Sequence, residues 1–580
     1  MHRLIIILVA LQTSCALAQD VDQAVVRYTD MRHPVYSTTG MIAAQSKTAA
    51  DVGAEVLADG GNAVDAAVAV GFSLAVTLPR AGNLGGGGFM LVHDAESDTT
   101  TAIDYREMAP PAAHRDMFLD ENGNADPELS RFSHKASGVP GTVAGLYLAH
   151  RKFGSMPWKR VVQPAADLAR EGIVVTRDLA NLLESRKERM CRDAATCKYF
   201  YKPGAVPYRM GEILVQADLA ESLQLIADEG PDAFYRGATA EKIAAEMKRG
   251  GGLIDMQALA AYKPVIREPL RGSYRGYEVV TIPPPSSGGV HVLQMLNVLS
   301  HFPVAAMGAG SADATHLLAE VMRLAYADRS KHLGDPDFYD VPVDWLTSAD
   351  YAAELAASID MKWARPSIDV APGVAPSPES EDTTHFSVID TYGNVVSNTY
   401  TLNFSYGSAI SVAGAGFLLN NEMDDFVSKP GVRNAFGLLG GKANAVEAGK
   451  RPLSSMTPTI IFAGGEPWFA TGSPGGSRII TTVLQMLVNV IDHGMNLADA
   501  SNQPRMHHQW FPDELLLESG FSPDTIRLLE ARGHIVRPSS RSMGSLQSVA
   551  IRDGVFRGAS DPRRPNAGAS APAAVDATVH

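Results

Sequence analysis

A proline-rich segment in the second half of the chain separates two stretches of very different pattern. Residues 371–382 combine proline, serine and acidic residues without hydrophobic periodicity, which is typical of an exposed linker. Residues 383–390 then have the pattern of a β-strand, and a Tyr392-Gly393-Asn394 turn leads into a second strand over 395–402. The sequence therefore predicts a β-hairpin whose first residue directly follows an accessible stretch of chain.

The first residue of this hairpin, Thr383, would gain a chemical function if the chain were cut before it. A threonine hydroxyl is a weak nucleophile, but the α-amine of an N-terminal threonine has a pKa of roughly 7.7–8.0 and can accept the hydroxyl proton. The β-branch also restricts the side chain to few rotamers. Most threonines in strands are only good strand formers, so this hypothesis needs support from elsewhere in the sequence.

Length, composition and charge limit the classes of function. The 580 residues exceed one ordinary domain core, and the hydrophobic fraction of 45% is typical of a globular protein. The formal net charge of -14 argues against nucleic-acid binding, which relies on Lys and Arg to neutralise phosphates. No stretch after the N-terminus reaches the roughly 20 apolar residues of a transmembrane helix, so no membrane insertion of the mature chain is expected.

The N-terminus has the pattern of a secretory signal peptide. His2 and Arg3 precede an apolar run over 4–11, and a small-x-small site ends at Ala18, which predicts a signal peptide over residues 1–18. We therefore expect export, most simply to the periplasm, with secretion as the alternative. A buried N-terminal helix and a lipoprotein anchored through Cys15 are the competing interpretations.

Removal of the signal peptide would leave two cysteines, Cys191 and Cys197. An even pair in an exported protein, six positions apart, is a disulfide candidate. Two free thiols are the alternative. We expect no metal site, because two lone cysteines lack the other ligands that zinc usually takes.

A glycine run over residues 82–88 follows two Ala-rich helical segments within 40–77 and precedes the strand-like Phe89-Met90-Leu91-Val92. A dinucleotide-binding fingerprint requires the order strand, glycines, helix. The order here is helix, glycines, strand, so a tight turn or a close approach between backbones explains the glycines better.

Long motifs spread over nearly the whole mature chain resemble those of γ-glutamyltransferases (glutathione hydrolases), an N-terminal-nucleophile family. They are Ala81–Phe89, Tyr105–Pro110, Ser137–Thr142, Pro283–Gly289, Asp382–Val388, Thr399–Asn403, Asn420–Phe426, Arg451–Met456 and Thr471–Gly476. Residues 430–441 also resemble the lid loop that covers the pocket in many members. So many motifs in the family's order make a chance match negligible.

The resemblance implies an α+β fold, the four-layer αββα sandwich of N-terminal-nucleophile hydrolases. It also implies that the precursor cuts itself between Asp382 and Thr383. The products would be a large subunit over 19–382 and a small subunit over 383–580, which stay associated because the core sheets draw strands from both. We expect the tail from about residue 569 to be disordered.

The resemblance further implies specific roles for ten residues. Thr383 would be the nucleophile for self-cleavage and catalysis, Thr401 would support it, and Gly475 and Gly476 would donate backbone N–H groups to the oxyanion and contact the substrate. The residues implied to bind the substrate are Arg106, Ser454 and Ser455 for the α-carboxylate, and Asn403, Glu422 and Asp425 for the α-ammonium group. Such a set suits a γ-glutamyl group, whose far end is a zwitterion.

The implied activity is cleavage of the γ-glutamyl amide of glutathione and similar compounds through an acyl-enzyme, with water, amino acids or dipeptides as acceptors. No metal or organic cofactor is expected. Three alternatives remain: a cephalosporin or glutaryl acylase of the same superfamily, an exported binding protein without turnover, and an oxidoreductase that uses the glycine run. Glu422 and Asp425 speak against the acylase, because its acyl groups lack an α-ammonium group.

Overall fold

The computed structural model describes residues 31–370, 383–428, 441–539 and 541–573. The predicted signal peptide, the linker with Asp382, and the lid-like loop up to residue 440 lie outside these residues. No helix within the described ranges is long and apolar enough to cross a membrane.

The described residues contain strands from one end to the other. They are β1 (Val35–Ser37), β2 (Met41–Ala44), β3 (Gly87–Asp94), β4 (Thr99–Tyr105), β5 (Ile173–Val174), β6 (Tyr201–Lys202), β7 (Val206–Pro207), β8 (Ile213–Leu214), β9 (Val265–Arg267), β10 (Leu270–Tyr274), β11 (Tyr277–Thr281), β12 (Thr383–Ile389), β13 (Val395–Thr401), β14 (Thr459–Ala463), β15 (Glu466–Thr471), β16 (Met506–His507), β17 (Leu515–Leu517), β18 (Val536–Pro538), β19 (Gln547–Arg552), β20 (Val555–Ser560) and β21 (Gly568–Ser570).

Helices connect and cover these strands. They are α1 (Lys47–Ala58), α2 (Ala63–Thr77), α3 (Pro127–Phe132), α4 (Thr142–Phe153), α5 (Trp158–Glu171), α6 (Arg177–Met190), α7 (Ala194–Phe200), α8 (Ala217–Glu229), α9 (Asp232–Tyr235), α10 (Ala238–Gly250), α11 (Met256–Ala261), α12 (Gly288–Leu299), α13 (Val304–Met307), α14 (Ala312–His332), α15 (Val343–Leu346), α16 (Ala349–Ala357), α17 (Ser367–Val370), α18 (Arg478–Ile491), α19 (Leu497–Asn502) and α20 (Pro523–Ala531).

Two seven-stranded antiparallel sheets form the centre of the molecule. One has the order β1-β20-β19-β15-β14-β11-β10, and the other has the order β21-β2-β12-β13-β3-β4-β9. Each sheet combines strands from before residue 371 with strands from after residue 382. The predicted exchange of strands between the two parts of the chain is therefore present in both sheets.

The alternation of side chains between the two faces of each strand explains why the sheets stack between helical layers. In β2, Ile42 and Ala44 pack into a core with helices such as α2, whereas Met41 and Ala43 pack into a second core with residues of the other sheet. Successive side chains of a strand point to opposite faces, so one strand serves both cores. Helices α12, α14 and α18 supply the outer side of the second core. The predicted four-layer αββα sandwich is thus the observed architecture.

The predicted hairpin is formed by β12 and β13, with Thr383 paired to Thr401 and Ile389 to Val395. Asp390 closes the turn, because its carboxylate accepts hydrogen bonds from the backbone N–H groups of Tyr392 and Asn394, each at 2.9 Å. Such an acidic side chain stabilises a tight turn by satisfying N–H groups that the strands leave unpaired.

The structure bears on two further sequence predictions, the disulfide and the disordered tail. Cys191 and Cys197 form a disulfide with an S–S distance of 2.11 Å, between the end of α6 and the helix α7.

The prediction of a disordered tail from about residue 569 is wrong at its start, because Gly568–Ser570 form β21 and pair with β2. Without β21, β2 would be an edge strand with unpaired backbone groups. Residues 574–580 lie outside the described part of the chain.

Candidate active site

Thr383 begins β12 and lines a small cavity. Its hydroxyl oxygen lies 3.1 Å from the hydroxyl oxygen of Thr401. Thr401 Oγ1 also accepts a hydrogen bond of 2.9 Å from the backbone N–H of Asn403. Both threonines are β-branched and paired in strand register, so their hydroxyls are held within narrow limits.

The glycine run packs closely against the backbone of β13, the strand that carries Thr401. A Cβ atom on Gly86 would lie 1.9 Å from the carbonyl oxygen of Thr401, and one on Gly88 would lie 2.4 Å from the carbonyl oxygen of Thr399. The Asn83 side chain donates to the Thr401 carbonyl at 3.0 Å. The glycines therefore serve the close backbone approach that the sequence order indicated, and they do not surround a nucleotide.

Nine of the ten predicted active-site residues line one cavity of about 30 Å³. They are Arg106, Thr383, Thr401, Asn403, Glu422, Asp425, Ser454, Ser455 and Gly476, and the cavity wall also contains Arg329, Met456, Ser477 and Ile479. The tenth, Gly475, adjoins Gly476 in the chain. Residues more than 300 positions apart thus meet at Thr383.

Arg106 is bonded to the two carboxylates predicted to receive the substrate's ammonium group. The guanidinium is 1% exposed and pairs with Glu422 and, at 2.6 Å, with Asp425. The sequence interpretation assigned the cation to the α-carboxylate of a substrate and the anions to its α-ammonium group, and it did not predict that they bond to each other. Buried charges are costly unless they are paired; this contact gives the guanidinium two anionic partners but leaves one buried oxygen of each carboxyl, Glu422 Oε2 and Asp425 Oδ1, without a hydrogen-bond partner within the described residues.

Gly475 and Gly476 lie directly before α18 in conformations that favour glycine, with φ angles of +134° and +56°. Their carbonyl oxygens accept the first backbone hydrogen bonds of the helix, from Arg478 at 3.0 Å and Ile479 at 3.1 Å. The N–H end of a helix carries partial positive charge. The cavity therefore has a backbone region suited to a developing negative charge.

The family model for gamma-glutamyltranspeptidase matches residues 49–571 of this chain. The chain belongs to the γ-glutamyltranspeptidase family. The glutathione hydrolase proenzyme of Escherichia coli K12 is 55% identical over 535 residues, which cover 92% of each chain. This membership confirms the predicted enzyme, a self-processing γ-glutamyltransferase and glutathione hydrolase.

Solved structures agree with the fold. A cephalosporin acylase from Bacillus halodurans matches with a TM-score of 0.83 at 27% identity, covering 95% of this chain and 99% of the acylase. A γ-glutamyltranspeptidase from Helicobacter pylori matches with a TM-score of 0.56 at 42% identity, covering 60% of this chain and 97% of that one. These matches confirm the N-terminal-nucleophile hydrolase fold.

Glu107 is a buried carboxyl of this transpeptidase cluster that the sequence reasoning did not assign. It lies 3.6 Å from Arg106 Nη1, and neither of its oxygens has a hydrogen-bond partner within the described ranges. Burial raises the pKa of Glu107 to about 7, partly offset by Arg106. Burial also raises the pKa of Glu422 and of Asp425. Three carboxyls therefore share one guanidinium. The position of Glu107 next to Arg106 in the sequence was the signal that could have assigned it to the site.

Arg329 lines the cavity, and the sequence reasoning missed it. It comes from the last turn of α14 and donates to the hydroxyls of Ser287 and Ser455, at 2.8 and 3.0 Å. The sequence offered no motif that pointed to Arg329.

His385, two residues after Thr383, is fully buried and serves the fold. Its ring nitrogens bond the hydroxyls of Thr399 and Ser387 at 2.8 and 2.9 Å. Burial lowers the pKa of His385 to about 3, so the ring is neutral at physiological pH. Both ring nitrogens are engaged with these hydroxyls, and the lowered pKa makes the ring a weak base, so His385 is not placed to act as a base for Thr383.

One group of side chains in the described ranges could in principle hold a metal ion: His316, Glu320 and His534, whose ligand atoms lie within 4.8 Å of one another. The two imidazoles already bond each other at 2.7 Å, and Glu320 pairs with Arg323. The ligand atoms of His316 and Glu320 are therefore already engaged in protein contacts.

Proposed function

We propose that Thr383 Oγ1 is the nucleophile of this γ-glutamyltranspeptidase, first on its own chain and then on substrate. In the first step, Oγ1 attacks the carbonyl carbon of Asp382, and the acyl group shifts from the Thr383 nitrogen to its oxygen. Water then hydrolyses this ester and leaves Asp382 with a free carboxylate. The product is a Thr383 whose hydroxyl and α-amine are both available.

The second reaction uses the same hydroxyl on a γ-glutamyl amide. Oγ1 attacks the γ-carbonyl carbon while the Thr383 amine accepts the hydroxyl proton. The backbone N–H groups of Gly475 and Gly476 stabilise the oxyanion, and the amine passes the proton to the departing nitrogen. Water or an amino compound then attacks the γ-glutamyl ester and regenerates Thr383. These steps require no metal or organic cofactor.

Recognition of the donor would proceed by exchange of ionic partners. The donor's α-carboxylate would take the fork of Arg106, assisted by Ser454 and Ser455, and its α-ammonium group would take Glu422 and Asp425, assisted by Asn403. Each charge that loses a partner gains one of the same sign from the zwitterion, so no buried charge is left uncompensated. The cavity of about 30 Å³ must widen to admit a γ-glutamyl group.

One observation carries this proposal: the paired hydroxyls of Thr383 and Thr401 share a cavity with a buried cation and two carboxylates. The test combines N-terminal sequencing of the smaller fragment with a γ-glutamyl anilide assay, run with and without glycylglycine. We expect a fragment that begins at Thr383 and anilide release that requires it. A fully active uncut chain would overturn the proposal. Stimulation by glycylglycine would identify dipeptides as acceptors.

An acylase acting on glutaryl-type amides is the second candidate, because the similar structure with a TM-score of 0.83 is a cephalosporin acylase. The pair Glu422 and Asp425 favours the transpeptidase, since a glutaryl group offers no cation to them. The ratio of kcat/KM for γ-glutamyl and glutaryl anilides separates the two candidates. A ratio below one would favour the acylase.

The proposed products are a large subunit over 19–382 and a small subunit over 383–580. They would remain one particle, because separation would strip both sheets of neighbouring strands. The signal-peptide pattern supports export, with the periplasm as the expected compartment. Fractionation of cells that express the full chain, followed by mass analysis of both fragments, tests the export, the removal of residues 1–18 and the cut at Thr383.

A further inference from the structure

We infer that Arg329 is a positioning residue of the donor site: it holds Ser455 with its hydroxyl hydrogen available to the donor's α-carboxylate. The inference rests on the proposed function, which gives Ser455 that carboxylate as a partner.

Arg329 joins the cavity loop that carries Ser454 and Ser455 to a second loop, which carries Ser287. Its Nε donates to Ser287 Oγ at 2.8 Å and its Nη2 donates to Ser455 Oγ at 3.0 Å. The same two loops are already linked by the backbone, because Ser287 N–H donates to the Ser454 carbonyl at 2.8 Å. Arg329 is 6% exposed, so these hydrogen bonds are shielded from water and geometrically restricted.

The bond from Arg329 determines what Ser455 can offer. A serine hydroxyl has one hydrogen and two acceptor lone pairs, and a guanidinium can only donate. Once Arg329 occupies a lone pair of Ser455 Oγ, the hydroxyl hydrogen is directed to another acceptor. The hydroxyl hydrogen of Ser454 is directed to another acceptor for the same reason, since the backbone N–H of Met456 donates to Ser454 Oγ at 3.1 Å. Both serines are thus prepared as donors, as an anion requires.

The charge balance of the cavity gives Arg329 a second effect. Arg106 is matched there by Glu422 and Asp425, with Glu107 at 3.6 Å. These carboxyls weaken the attraction of Arg106 for a further anion. Arg329 brings a second guanidinium to the cavity, and its positive charge polarises the hydroxyl that meets the carboxylate. Loss of Arg329 should therefore weaken donor binding without removing the nucleophile.

The primary variant is Arg329→Lys, which keeps the charge but cannot bridge Ser287 and Ser455 with one planar fork. We expect the KM for a γ-glutamyl anilide to rise about tenfold or more, the range of one lost hydrogen bond to a charged group, with self-cleavage retained. A 4-aminobutyryl anilide, which lacks the α-carboxylate, should be cleaved equally by the variant and the wild type. A purely structural role would reduce both activities together.

The matched control is Arg323→Lys on the same helix. Arg323 is also buried and paired, with Glu320, but does not line the cavity, so the donor KM should stay within about twofold of wild type. Combining Arg329→Lys with Ser455→Ala should add little to the effect of Ser455→Ala alone, because Arg329 acts through Ser455.

Arg329→Gln is a second variant that keeps a donor without the charge, and its KM should lie at or above that of Arg329→Lys. An unchanged donor KM, or equal losses with both anilides, overturns the inference. So does failure of both variants to process, since Arg329 would then be a folding residue. A wild-type chain that neither cuts itself nor cleaves the anilide refutes the proposed function instead, which keeps the two failures distinguishable.

Discussion

The hydroxyl oxygens of Thr383 and Thr401 face each other across 3.1 Å, at the open end of the β12–β13 hairpin. The register of the hairpin aligns the first residue of one strand with the last residue of the next. Chain termini commonly fray, and after the proposed cut before Thr383 the new terminus would be held by the pairing of Thr383 with Thr401 of β13. Self-cleavage can thus create a free amine without releasing the hydroxyl.

The first prediction concerns Thr383 itself. Thr383→Ala should give a single uncut band on a denaturing gel and no anilide cleavage, because both reactions lose their nucleophile. Thr383→Ser keeps the hydroxyl without the β-methyl that restricts it, so it should cut itself more slowly than wild type. Gel densitometry over time measures both effects.

The neighbouring threonine provides the control. Thr384 is buried, and its hydroxyl has no hydrogen-bond partner within the described residues. Replacing an unpaired buried hydroxyl by a methyl group is close to neutral for stability. Thr384→Val should therefore process like wild type, and a processing defect as severe as that of Thr383→Ala would contradict a special role for residue 383.

The second prediction concerns Arg106, for which the structure changes the choice of variant. Because Arg106 is bonded to Glu422 and Asp425, Arg106→Ala would leave buried carboxylates without a countercharge and should lower the free energy of unfolding by about 3–5 kcal/mol. Arg106→Lys keeps a charge but loses the fork, so we expect the donor KM to rise at least about tenfold with self-cleavage retained. Steady-state kinetics and urea unfolding separate binding from stability, and an unchanged KM in Arg106→Lys would remove this residue from the donor site.

The third prediction concerns selectivity for the α-ammonium group. Glu422→Gln removes one of its two anionic partners, so kcat/KM for γ-glutamyl anilide should fall about tenfold or more. Activity towards glutaryl anilide, which has no ammonium group, should not fall. Asp424→Asn is the control, because Asp424 pairs with Arg131 and does not line the cavity. Equal losses on both substrates in Glu422→Gln would argue against ammonium recognition.

The hairpin, and the meeting of nine of the ten proposed site residues at one cavity, could be predicted because local patterns and family motifs carry them. Consecutive residues determine a turn such as Tyr392-Gly393-Asn394, and each of the family's motifs is contiguous as well. The strand β21 was missed because its three residues carry no strand pattern of their own, and the open edge of β2, more than 500 positions earlier, decides their structure.

The internal bonding of the site could not be predicted, because it depends on distances. Arg106 and Glu422 are 316 positions apart, and no local pattern indicates whether two opposite charges face a substrate or each other. Arg329 was missed for a similar reason. It belongs to the regular sequence of a buried helix, and only the fold brings it to Ser455 from 126 positions away.

The last prediction concerns the third carboxyl of the cluster. Burial raises the pKa of Glu107 from 4.5 to about 7. Below pH 4.5 the carboxyl is protonated in the folded and unfolded states alike. Between pH 4.5 and 7 the unfolded chain releases the proton first, so the contribution of Glu107 to stability is lost as the pH rises through the folded-state pKa. Above pH 7 both states are ionised and the loss is complete.

Glu107→Gln removes this ionisation and keeps the shape of the side chain. The melting temperature of the variant, relative to wild type, should therefore increase from pH 4.5 to pH 8, with most of the change below pH 7. Thermal unfolding at a series of pH values measures it, and the exposed Glu96 gives the control, since Glu96→Gln should follow the wild-type curve. Parallel curves for Glu107→Gln and wild type would mean that Glu107 is already ionised with Arg106 at low pH, and that the cluster carries one more negative charge than the structure indicates.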